Sequence, residues 1–316
     1  MLMPGEDFYL QPGQWQAAVG YRWLYSDSPF IGGREQKQTE AAHTQAINDS
    51  HFIDLTASYG LTKRISLNLA IPFVSSTRSS FTDHSDGARH TMSASGLGDL
   101  RLTSTVWLLT PEKHHEGNLA LGMGVKAPTG DSKATDLSYH LDEFGNSSPS
   151  LAFVDQSIQP GDGGWGVVLE AQAFQKLFSR TYAYMNASYL INPQEKTPDS
   201  PLGTGYSIAD AYLLRAGLSY AIWHSKGLSL SLGGRMEGVP VKDWFGGNGG
   251  FRRPGYTISI EPGISWMYHK LAITVTGPVA IQRNREWSLL ELAHHHRLGD
   301  ASFADFVITS SISYRF

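Results

Sequence analysis

In twelve separate stretches of this chain, large apolar residues alternate with small or polar ones, and the connections between the stretches are short and long in strict turn. A side-chain period of two means a strand with two different faces, and no segment of helix length shows a helical period. The pattern is plainest in "RISLNLAIPF", where Ile65, Leu67, Leu69, Ile71 and Phe73 share one face and Ser66, Asn68, Ala70 and Pro72 the other. "GLSLSLGGRMEG" and "KLAITVTGPVA" repeat it. The alternation predicts strands near 14–25, 51–60, 64–74, 97–109, 117–127, 164–174, 181–190, 209–222, 228–239, 255–268, 270–280 and 305–316, with the facing of 181–190 left open.

Short turns fall at "GLTKR", "TPEKHHEG", "QKLFSR", "WHSKG" and "YHK", and long connections at 26–50, 75–96, 128–163, 191–208, 240–254 and 281–304. Structureless loops of that length count against a compact soluble domain. They are expected on the extracellular side of an outer-membrane barrel, whose periplasmic turns are short. With both termini on the short-turn side, all eleven connections sort correctly. The fold class expected is therefore all-β, a transmembrane up-and-down antiparallel β-barrel of about 12 strands, a single domain over 1–316 with 1–13 as an N-terminal periplasmic segment.

Composition agrees. Charged residues are 17%, below the roughly 25% of soluble domains, and Gly (33), Tyr (14) and Trp (8) are plentiful. A formal net charge of −4 with no Lys/Arg-rich stretch argues against a nucleic-acid partner. With no cysteine, neither disulfides nor thiolate metal sites are available. No run of 18 apolar residues forms a membrane-spanning helix, which leaves spanning by strands open. The opening "MLMPGEDFYL" has neither the basic nor the apolar part of a signal peptide, so an exported chain is expected to have lost its leader already.

The polar face decides which way the strands look. It carries Gly, Ser, Ala and Asn broken by single charges: Arg22, Arg101, Lys126, Arg215, Arg235 and Arg315 against Asp54, Asp99, Glu170, Glu237, Glu261 and Asp305. An arginine facing lipid near the midplane would cost about 2–4 kcal/mol, whereas inside a barrel it can pair and stay wet. These residues are therefore expected to line the lumen. The opposite face then carries Trp15, Tyr21 and Trp23, Tyr256, Trp266 and Tyr268, and Phe306 and Tyr314, as interfacial girdles require. The closing "DFVITSSISYRF" needs nothing after it if the last strand pairs with the first. Its end, with Tyr314 and Phe316 outward, resembles the C-terminal signal read by the outer-membrane assembly machinery.

Several segments, "ASYGLTKRISLNLAIPFV", "GLGDLRL", "GVKAPTGD", "QPGDGGWG" and "GDASFADFVITSSISYRF", resemble in the same order the outer-membrane transporter family named for the meta-cleavage pathway of phenol degradation. The resemblance spans roughly 50–316. It implies an outer-membrane barrel that passes small molecules, aromatic or hydrophobic compounds among them. Ala127 stands where Leu is expected before "PTGD", and "ELAHHHRLGD" is less typical.

His294, His295 and His296 form a triplet and His114 and His115 a pair, but neighbours on an extended chain point apart, and solvated loop histidines are the plainer reading. No Ser, His and orienting residue of a lipid hydrolase stand out, so no enzyme, metal or cofactor is expected. The connection 128–163 holds Asp131, Asp136, Asp142, Glu143, Asp155 and Asp162 against Lys133, either an exposed acidic loop or one that folds toward the lumen. The expected function is an outer-membrane channel for passive uptake of small molecules; the alternative is a plugged structural or docking barrel that binds a partner through its loops. Expected partners are membrane lipid and lipopolysaccharide, the assembly machinery and the permeant.

Overall fold

The computed structural model describes residues 9–195, 197, 206–293 and 301–316. Twelve strands form the wall: β1 (Trp15–Ser26), β2 (Ile47–Gly60), β3 (Ile65–Ser80), β4 (His90–Leu97 continued by Leu100–Trp107), β5 (Gly117–Ala127), β6 (Gly166–Phe178), β7 (Thr181–Ile191), β8 (Ala211–Trp223), β9 (Leu228–Val239), β10 (Gly255–Tyr268), β11 (Leu271–Thr276 continued by Val279–Arg285) and β12 (Phe306–Arg315). Each pairs antiparallel with its neighbours in sequence, and β12 returns to β1, from Gln16 opposite Arg315 to Tyr25 opposite Phe306. That pairing of β12 with β1 is the seam that closes the barrel. Twelve strands at the usual spacing and tilt enclose about 24 Å between opposite backbones.

The outer face is apolar, with Val19, Leu55, Met123, Leu232, Ile264 and Ile312 all exposed. Aromatics gather at its ends. At the short-turn end Trp15 packs tilted on Tyr59, Trp266 stacks on Tyr268 and Tyr314 meets Phe316 edge-on. At the other end Trp23 meets Phe306, and its indole N–H donates to Asp49 at 2.8 Å; His51 sits between Tyr21 and Asp49. Such rings hide their apolar bodies and keep polar tips wet at headgroup depth. An apolar belt around a closed barrel places the chain in a bacterial outer membrane.

The long connections hold more strand than the alternation predicts. Within 75–96, β3 and β4 continue as a hairpin, Phe73 opposite Leu97 out to Ser80 opposite His90. The segment 128–163 contains a hairpin of Thr135–Leu141 and Ser147–Phe153, and Ser28–Ile31 pairs with Ala301–Phe303. Above the lipid no apolar face is needed, so strands made of Ser and Thr pair without leaving a period-two signal. Two interruptions of the wall have a common cause. Pro72 in β3 and Pro262 in β10 cannot donate to the ladder, and opposite them the neighbouring strand breaks, Gly98 N–H donating to the Pro72 carbonyl and Gly277 N–H to that of Pro262.

Candidate functional site

Side chains from β8, β9 and β10 meet across one wall of the lumen. Arg215 grips Glu261 with two bonds, Nε at 2.8 Å and Nη2 at 2.5 Å, and Arg235 grips Glu237 at 3.0 and 2.6 Å. The two arginines face each other in register, a like-charge pair that each carboxylate neutralises. Arg215 reaches over the whole of β9 to do this. It can because Gly233 lies between Gly217 and Glu261 in register and fills no space. The Tyr184 hydroxyl occupies the same hollow: a Cβ at Gly233 would lie 2.4 Å from it, and one at Gly217 2.7 Å.

Across the lumen the charges are not knitted together. Arg22 lies over the Phe52 ring, 4.0 Å from its centroid, and its Nε is buried with no hydrogen-bond partner among the described residues. Asp54, Arg101 and Glu170 also make no hydrogen bond or close ion pair there; Asp54 attracts Arg22 and Arg101 attracts Glu170 only at longer range, and Arg101 is exposed. Charge is thus presented toward the interior space from β1, β2, β4 and β6.

Asp99 and Lys126 have a different setting from open lumen. They sit above it, under the connection 128–163, where Lys126, 1% exposed in its side chain, pairs with Asp162 and lies 3.7 Å from Asp99. The Asp99 carboxylate accepts from the backbone N–H of Gly130 at 3.0 Å and of Asp162 at 3.2 Å. Thr129 bridges the Gly98 carbonyl and the Leu100 N–H. Gly130 and Gly161 touch backbone to backbone, since a Cβ on either would come within 2.7 Å of the other. Three sequence motifs far apart in the chain, "GLGD", "KAPTG" and "PGDGG", therefore make one latch at the break in β4.

Beyond the latch the loops form a lid. Arg253 holds Asp155 with bonds of 2.9 and 2.8 Å, and Arg252 holds Asp243 at 2.7 and 2.5 Å while also donating to Ser207. Val154, Ile158 and Ile208 are wholly buried beside them. Burial alone would raise the Asp155 carboxyl, but Arg253 and Arg78 hold it well below the usual carboxylate range. Burial pushes the neighbouring Tyr206 phenol up to about 12. Of the acidic residues in 128–163, Asp155 and Asp162 turn inward, and Asp136 binds the Ser93 N–H of β4 at 2.7 Å.

At the short-turn end Arg315 donates to Gln16 at 3.0 Å. Three cavities follow one another from here: one of 410 Å³ lined by Gln16, Lys270 and Arg315, one of 150 Å³ that shares Gln16 and Arg315 with it, and one of 280 Å³ lined by Glu170, Gln172, Asn186 and Arg215. Gln172 borders both the second and the third. Tyr184 and Phe52 carry no charge and so escaped the count of polar-face charges, although the open facing of 181–190 marked the place. His294, His295 and His296 lie outside the described residues. Among the described residues no three His, Asp or Glu side chains are grouped to hold a metal.

No family model and no curated protein sequence matches the chain. Solved structures do. A crystal structure of an outer membrane channel from Pseudomonas putida F1 superposes with a TM-score of 0.66 at 16% identity, covering 100% of both chains. The β domain of the Bordetella autotransporter BrkA follows at a TM-score of 0.50 and 9% identity, covering 96% of this chain and 100% of that one. At these identities the likeness is one of fold: the chain is a closed twelve-stranded barrel built like those of the outer membrane.

Proposed function

We propose that the chain is a passive outer-membrane channel for small molecules, aromatic or hydrophobic compounds among them, with no catalytic role. The observation that carries this reading is the row Arg22, Asp54, Arg101 and Glu170, which among the described residues makes no hydrogen bond or close ion pair and is held together only by longer-range attraction, with Glu170 lining one of the successive cavities. Fully paired charges would fill a plug; unpaired facing charges orient the polar end of a permeant and keep the path wet. The Pseudomonas putida barrel of the same architecture is described as a channel, and the quoted motifs resemble a transporter family associated with aromatic catabolism. Tyr314 and Phe316 serve the assembly machinery, and the lid contacts lipopolysaccharide.

A closed docking barrel is the second reading, favoured by the lid of interlocked buried ion pairs. Single-channel conductance in a planar bilayer separates the two. A steady conductance whose anion preference falls in Arg101→Ser supports the channel, and silence from folded, heat-modifiable protein supports docking.

A further inference from the structure

The chain ahead of β1 does not run straight down from the wall. Residues 9–14 turn across the short-turn mouth, with Gly60 letting the Gln11 carbonyl pass where a Cβ would meet it at 2.2 Å. The segment delivers Tyr9 into the lumen. There the ring is 3% exposed, edge-on to Trp107 with centroids 4.9 Å apart, 6.2 Å from Phe174, and packed on Ala120 with Tyr182 alongside. Its hydroxyl donates to the His114 carbonyl at 2.9 Å and accepts from Asn118 Nδ2 at 3.1 Å. Asn118 is fixed for this by its own bonds to the N–H and carbonyl of Leu109, at 3.1 and 3.0 Å.

Trp107, Ala120, Phe174 and Asn118 all belong to the barrel wall, on β4, β5 and β6. Tyr9 alone comes from outside it. The pocket thus has a wall built for a flat ring, a donor and an acceptor placed for one phenolic hydroxyl, and an occupant that is itself a phenol on a tether. Tyr9 borders the 410 Å³ cavity and Trp107 the 150 Å³ cavity, both at the short-turn end, so the ring sits beside the space at this mouth of the lumen.

We propose that this pocket is a subsite for a neutral phenolic ring at the periplasmic end of the lumen, occupied by Tyr9 until a free phenol exchanges with it. The inference rests on the channel reading and deepens it by naming the permeant class. A side chain on a short tether competes at an effective concentration on the order of millimolar, which a small permeant can match. A simple phenol is neutral at pH 7, its pKa being about 10, so it can make both of the bonds Tyr9 makes. A ring without a hydroxyl leaves Asn118 and the His114 carbonyl unpaired, and a site built on such bonds rejects it.

The test is calorimetric titration of phenol and of toluene into the full chain in detergent micelles, with micelle blanks, for the wild type, Tyr9→Ala, Tyr9→Phe and Tyr9→Ala with Asn118→Leu, each shown to be heat-modifiable. A pocket that is occupied most of the time reduces apparent affinity by its open fraction, so Tyr9→Ala is expected to bind phenol about tenfold or more tighter than the wild type. Tyr9→Phe keeps the ring but loses both hydroxyl bonds, so it competes less well than Tyr9 and its phenol affinity falls between those of the wild type and Tyr9→Ala. Toluene binds Tyr9→Ala about tenfold more weakly than phenol, and Asn118→Leu removes most of that difference. Equal phenol affinity in the wild type and Tyr9→Ala overturns the occupied subsite, and equal affinity for phenol and toluene in Tyr9→Ala overturns its phenolic character. Bilayer recordings keep the two readings apart: phenol binding by a barrel that never conducts sinks the channel alone, and conductance without binding sinks the subsite alone.

Discussion

Glu261 shows how much one lumen carboxylate does. It is 1% exposed in its side chain, holds Arg215 through two bonds and lies 4.0 Å from Arg235. Removing one partner from a buried pair leaves the other charge stranded, at about 3–5 kcal/mol. Glu261→Ala is therefore expected to lower urea stability in refolded vesicles by roughly 3 kcal/mol, and Glu261→Leu with Arg215→Met by clearly less. The same contact fails from the glycine side. A side chain at Gly233 would strike the Tyr184 hydroxyl and the Ala216 carbonyl oxygen, at 2.4 and 2.6 Å from its Cβ. Gly233→Val is expected to cost about 1–3 kcal/mol by overpacking, read from the same unfolding curves.

Among the elements, the loops have the most unusual chemistry for their position. Loops ordinarily keep their polar groups in water, yet Asp155 is buried and Arg253 grips it through both terminal nitrogens. Because the folded carboxyl is held below its unfolded value, its contribution is fully present above pH of about 4 and is lost as pH falls below that. The lid is therefore expected to resist protease equally at pH 7 and pH 5 on intact cells, and to be cut at both in Asp155→Asn. Cleavage that appears in the wild type between pH 7 and pH 5 would contradict this account of the lid. The latch beneath is steric as well as ionic: Gly161 and Gly130 have no room for a methyl between them.

At the scale of the whole molecule, stability depends on which face meets lipid. Met123 is 63% exposed in the middle of β5, on the apolar side. Met123→Arg is expected to cost about 2–4 kcal/mol in refolding titrations from urea, while Thr105→Arg, on the lumen face of β4, costs less because water and Glu170 are within reach. That contrast tests the orientation of the wall directly.

Strand number, the seam and the facing of every strand but 181–190 were legible in the residues, because a period of two is local and lipid on one side with water on the other imposes it. The charges Arg22, Asp54, Arg101, Glu170, Arg215, Arg235, Glu237, Glu261 and Arg315 could be placed on one face for that reason. Only the tertiary structure decided how they divide into paired and unpaired sets, since Arg215 meets Glu261 across a strand that neither belongs to, over a glycine whose importance is the space it leaves. Only the closed barrel could likewise bring Asp99, Lys126 and Asp162 into one latch, Asp155 to Arg253, and Tyr9 to Trp107 and Phe174. Alternation reports which side of the wall a residue is on; which residues meet inside depends on register and closure, and those are properties of the whole ring of strands.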